Sequence, residues 1–199
     1  MHIESVISNS ITQDIRLKGH QSIRFAPDGF SVLISDASYV PVSLNQYTFD
    51  KPLPVNELVA ECSRILDDAG LLSFEGETVL ITDSMAATLL PRQFFNVDKN
   101  REILERICVL EKSDRVFDRS VANRDLHLVF AVNDKIIGLG NRFAGKVKTL
   151  HATECLLSLS DQVKASDHQR GVLMAEVQTF TLDVLVIAND RIKSVSYTH

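Results

Sequence analysis

No short motif in the 199 residues names a chemistry. There is no glycine-rich phosphate loop of the P-loop kind, no Gly-x-Ser-x-Gly elbow, and no cysteine or histidine pair at zinc-ligand spacing. The six histidines, His2, His20, His127, His151, His168 and His199, are too scattered to read as a ligand set. A lone serine or cysteine is no nucleophile without a base in reach. Cysteine itself is scarce: Cys62, Cys108 and Cys155 give an odd count with no C-x-x-C pair. That argues against a disulfide framework and for free, buried thiols in a reducing cytoplasm, each on the apolar side of a helix. No apolar run opens the chain, where Glu4 and Asp14 stand, so no secretory signal is read there. No segment reaches the roughly 18 apolar residues of a membrane span. Positive charge is in deficit too, with 21 Lys and Arg against 26 Asp and Glu, a net charge of −5. This speaks against nucleic acid or an anionic membrane as partner, since both attract basic surfaces. The densest basic stretch, Lys135, Arg142, Lys146 and Lys148, reads as solvated surface.

What is present is a pattern of elements. Ser22–Phe25 and Phe30–Ser35 flank Pro27-Asp28-Gly29, and Asp-Gly between β-rich runs is a strong hairpin signal. A third strand covers about 39–49, with Pro41 predicting an edge or a late start. Val55, Leu58, Val59, Cys62, Ile65, Leu66 and Ala69 then form one helical stripe between Pro54 and Gly70. Thr78–Thr82 reads as a buried strand of parallel type. A helix is predicted over Asp98–Leu110 with Ile103, Leu104, Ile107 and Cys108 inward, and strands over 115–121, 126–132 and 147–150. A weak helix over 134–143 and one capped by Thr153 and running to Lys164 complete the middle. Leu89-Leu90-Pro91 and Phe94-Phe95 read as an apolar loop anchored in the core. Residues 171–198 give three strands again, so the chain opens a triple-strand unit twice. The polar stretch 164–170 is the boundary between them.

The order βββαβαβ, αβα, βββ predicts a mixed α/β protein with a ribonuclease-H-like first lobe. Residues 1–20 are a lead-in segment, 21–165 the first lobe with helical additions, and 166–199 the opening antiparallel unit of a second lobe. Ser22-Ile23-Arg24-Phe25-Ala26-Pro27-Asp28-Gly29-Phe30, Pro52-Leu53-Pro54 and Leu90-Pro91-Arg92-Gln93-Phe94-Phe95 resemble an uncharacterised Bacteroidetes family of unknown function. The resemblance covers residues from about 20 onward. It implies an actin-like ATPase fold, a duplicated ribonuclease-H-like unit, and a second lobe continuing past His199. It implies no substrate.

Each chemistry open to that fold has a residue test. Actin-like ATPases hold phosphates on two hairpin loops. Here the first would be Ala26-Pro27-Asp28-Gly29, with Asp28 and Gly29 as cofactor-binding candidates for Mg-ATP, although Pro27 offers no N–H. The second, Gln178-Thr179-Phe180-Thr181, has no glycine, and Phe180 is bulky. A ribonuclease-H-type nuclease needs three or four carboxylates on the first strand, first helix and fourth strand. Glu57, Glu61, Asp36 and Asp83 are the candidates, but Ile23-Arg24-Phe25 carries no acid. The residues therefore favour a cytoplasmic, non-catalytic interaction module with a protein partner and no cofactor, and the resemblance implies a bacterial one. Nucleotide binding is the alternative. For the interaction module, the exposed edges of the triple-strand units are the candidate surfaces, where a peptide strand could be added.

Overall fold

A computed structural model describes residues 1–26, 28–84, 86–121, 124–164, 172–177, 182–188 and 191–198. In chain order the elements are β1 (His2–Ser8), α1 (Gln13–Lys18), β2 (His20–Ala26), β3 (Gly29–Ser35), β4 (Pro41–Thr48), α2 (Val55–Asp68), β5 (Glu77–Thr82) and β6 (Ala87–Pro91). There follow α3 (Asn100–Glu105), β7 (Asp114–Ser120), β8 (Leu126–Asn133), α4 (Asp134–Gly140), β9 (Val147–His151), α5 (Ala152–Lys164), β10 (Val172–Val177), β11 (Leu182–Ala188) and β12 (Arg191–Thr198). The chain divides into two compact units. The first takes residues Met1–Asp83, Glu111–Arg115 and Val132–Leu150; the second takes Ser84–Leu110, Val116–Ala131 and His151–His199.

The first unit is built on a six-stranded sheet of order β1-β4-β3-β2-β5-β9. β2, β3 and β4 form an antiparallel meander, and β5 returns parallel to β2, as the β-rich run Thr78–Thr82 predicts. Alternate residues across the sheet are paired and buried together: Ile23 faces Val32 and Leu80, and Phe25 faces Phe30 and Thr82. β5 is buried only at alternate positions, Thr78, Leu80 and Thr82, so one of its faces is more open than a continuous apolar run predicts. Pro41 is the first residue of β4 and pairs only with Ser35, a place where a missing N–H costs no ladder bond. β4 is not an edge, however, because β1 pairs along its outer side.

α2 has Pro54 as its N-cap, whose carbonyl accepts the Glu57 and Leu58 N–H groups. Its end is a Schellman motif. Gly70 takes φ 64°, its N–H bonds Asp67 O at 2.8 Å, and the Leu71 N–H bonds Leu66 O at 2.7 Å. The buried stripe is Leu58, Cys62, Ser63 and Leu66.

The second unit contains the sheets β6-β8-β7 and β10-β11-β12. Its described core gathers Ala86, Leu104, Val129 and Ala131, with Leu90, Phe95, Cys108, Leu110 and Val116 packed on it. Leu89-Leu90-Pro91, expected in a loop, belongs to β6 and pairs antiparallel with β8. The helix predicted to Leu110 stops at Glu105. From there the side chains alternate, with Cys108 and Leu110 packed inward and Ile107 and Val109 exposed, which is a two-residue period and not a helical one. The predicted Phe94-Phe95 anchor divides: Phe95 stacks on His127 with ring centroids 3.8 Å apart, while Phe94 faces solvent. Of the three cysteines only Cys62 is buried; Cys108 and Cys155 are half-buried, and Cys108 lies beyond the end of α3. β10, β11 and β12 form an antiparallel meander where the last triple-strand unit is predicted. The polar stretch 165–171, the loop 178–181 and the break at 189–190 lie outside the described residues.

Candidate functional site

The sheet edge at the carboxyl ends of β2 and β5 is where the sequence places both candidate chemistries. There the last residue of β2, Ala26, pairs with the first of β3, Gly29. Asp28 is buried, and its carbonyl accepts the Phe49 N–H at 2.8 Å. Gly29 pairs with Thr48 of β4, and a Cβ built on it would stand 1.9 Å from Tyr47 O. Glycine is thus required at 29 by the approach of β4 main chain, whatever else the turn does. The Phe30 ring stacks on Tyr47 at 4.6 Å behind it. Burial pushes the Tyr47 hydroxyl up, with the nearby Cys62 thiol adding to the effect. Pro27 lies outside the described residues, as does the second loop.

The nuclease carboxylates are engaged with arginines. Asp83, one residue past β5, accepts a 2.9 Å bond from Arg24 Nη2, and its side chain is 8% exposed. Arg24 stands on β2, where that chemistry calls for an acid. Glu61 accepts from Arg64 Nη2 at 2.6 Å and Nε at 3.1 Å, which holds its carboxyl below the usual range. Glu57 is exposed in the first turn of α2. Asp36 is used locally: its carboxylate accepts the Ser38 and Val40 N–H groups in the β3–β4 turn, at 2.8 and 3.0 Å. Among the described residues, no three His, Cys, Asp or Glu side chains gather where a metal ion could be held.

A polar cluster the sequence reading missed lies in the second unit, at the start of α5. His151 is fully buried. The Thr153 N–H donates to His151 Nδ1 at 3.1 Å, so Nδ1 carries no proton, and the Nε2–H donates to Ser84 O at 2.8 Å. Glu154 in turn accepts the His151 N–H at 3.2 Å. This is a capping box with histidine in the cap position, and not Thr153 as predicted. Burial pushes the Glu154 carboxyl up against the pull of that N–H and of Arg119. The signal was present as His-Ala-Thr-Glu before an apolar stripe, but histidine is an unusual cap. His127, one of the scattered histidines, lies on the central strand of its sheet, β8, and stacks on Phe95.

The fold is shared with solved structures at low identity. A protein of unknown function from Bacteroides thetaiotaomicron, described as having an actin-like ATPase fold, superposes with a TM-score of 0.80 at 15% identity, covering 96% of this chain and 74% of that one. A chain of the PilM–PilN type IV pilus biogenesis complex gives a TM-score of 0.56 at 12% identity, covering 92% of this chain and 62% of that one. No curated protein matches the sequence. The mixed sheet and the first of these likenesses establish an actin-like ATPase fold. Residues 8–195 match a single family throughout, and the chain belongs to it: DUF3822, a family of proteins of unknown function.

Proposed function

We propose that this chain is a non-catalytic member of the actin-like ATPase fold that works in the cytoplasm as a protein-binding or scaffold module. The observation that carries the reading is the Arg24–Asp83 ion pair. At the strand ends where a metal-dependent enzyme of this fold needs uncommitted carboxylates, the chain places a guanidinium on the acid. The close approach of Tyr47 O to Gly29 supports it, because main chain fills one side of the turn that a phosphate would occupy. Protein contact is supported by the likeness to a chain of the PilM–PilN complex, which is an assembly of proteins. No helix among the described residues is long and apolar enough to cross a membrane.

The test is a calorimetric titration of Mg-ATP and Mg-ADP into the full-length protein. No heat at millimolar ligand is expected. Micromolar affinity, roughly −8 kcal/mol, overturns the reading in favour of nucleotide binding, and Asp28→Asn is then the first variant to make.

A further inference from the structure

A protein-binding module needs a surface for its partner, and β1 marks one. β1 runs along the outer edge of β4 from His2↔Thr48 to Ser8↔Ser43, with a register shift between Ser5 and Ile7. Its side chains hold it weakly. Of its seven residues only Ile7 is even half-buried, and Ile3 and Val6 are 54% and 57% exposed. Ser5 Oγ donates to Asn45 Oδ1 at 2.8 Å. Beyond that bond and an ion pair of 3.9 Å between the Met1 ammonium and Asp50, just past β4, the attachment is the main-chain ladder. That is how an added peptide strand is held: the ladder supplies affinity, and a few opposed side chains fix the register.

β4 beneath it reads Pro-Val-Ser-Leu-Asn-Gln-Tyr-Thr, without one charged residue. Natural sheet edges are protected by charges, by bulges or by a cover. β4 has no charge of its own, and its cover is β1, which carries the single acid Glu4 and the bulge. The family match begins at residue 8, so β4 lies inside it and β1 lies almost wholly outside.

Resting on the reading of a protein-binding module, we propose that the outer edge of β4 is a strand-accepting site which β1 closes in cis. The partner supplies an extended segment that takes the place of β1. By the observed register it places branched apolar residues opposite Tyr47 and Leu44, as Ile3 and Ile7 do, and a small polar residue opposite Asn45, as Ser5 does.

A Ser5→Cys/Asn45→Cys variant ties β1 to β4 when oxidised and releases it when reduced. A fluorescent peptide of residues 2–8 is titrated into both forms of the full chain and followed by anisotropy. Saturable binding to the reduced form, weakened about tenfold or more on oxidation, is expected, because a tethered strand then holds the edge. Equal binding by both forms, or none by either, overturns the proposal. Hydrogen exchange on the unaltered chain reads the same opening without mutation. The β1 amides are expected to exchange about a hundredfold faster than those of β3, and equal protection overturns the proposal. The two readings fail separately: tight Mg-ATP binding sinks the non-catalytic reading and leaves these results standing, whereas a firmly protected β1 sinks this inference alone.

Discussion

Gly29 and Glu154 show how much a single position is constrained by what lies against it. A methyl at 29 meets Tyr47 O at 1.9 Å, and the two residues lie on adjacent strands, β3 and β4, held in register from Gly29↔Thr48 to Ser35↔Pro41, so neither partner can move away cheaply. Gly29→Ala is expected to lower stability by about 3 kcal/mol, the upper range for overpacking, read as a fall in the urea midpoint at constant m-value. Glu154 carries the opposite kind of cost. Its folded carboxyl lies above the ordinary 4.5 because burial disfavours the charge. The folded state therefore binds the proton more tightly than the unfolded one. That contribution is fully present below about pH 4.5 and is lost as pH rises through the folded value. Glu154→Gln keeps an acceptor for the His151 N–H and removes the titration. Thermal melts across this range are expected to show the variant gaining on the parent as pH rises; a constant difference between the two would disprove the effect.

At the level of elements, α2 and α5 contrast in how far their boundaries could be read. The end of α2 was legible because Gly70 is the residue that a left-handed C′ position favours, and the apolar Leu71 follows to close the motif on Leu66. The start of α5 was misplaced because the cap there is made by an imidazole nitrogen, which propensity does not anticipate. His151→Ala is expected to cost about 2–4 kcal/mol, since it removes a cap, leaves the Ser84 carbonyl without that donor and opens a void. His151→Asn, which can cap but cannot reach both partners, is expected to recover about 1 kcal/mol of this in chemical denaturation. α3 was overextended for another reason. Ile103, Leu104, Ile107 and Cys108 fit a helical stripe on paper, but Cys108 and Leu110 are drawn to the core by strand-like alternation.

For the whole molecule, the sheet order was readable where neighbours in sequence are neighbours in space. The β2–β3–β4 meander and the parallel return of β5 follow from hairpin signals and β-branched runs. What could not be read depends on distant pairs. Nothing local to Arg24 announces Asp83, and nothing in His2–Ser8 announces β4. These long-range contacts are the ones on which the two proposals rest, the first because it occupies a carboxylate and the second because it covers an edge.

The interleaving of the two units has a consequence for how the protein is made. Residues 84–110 and 116–131, both of the second unit, leave the ribosome before 132–150, which supply α4 and β9 to the first. The six-stranded sheet therefore lacks its last strand while much of the second unit is already outside the exit tunnel. Folding during synthesis cannot proceed one unit at a time from the amino end. For a stretch of translation both units are unfinished together, and the open side of β5 waits as a nascent edge until β9 arrives.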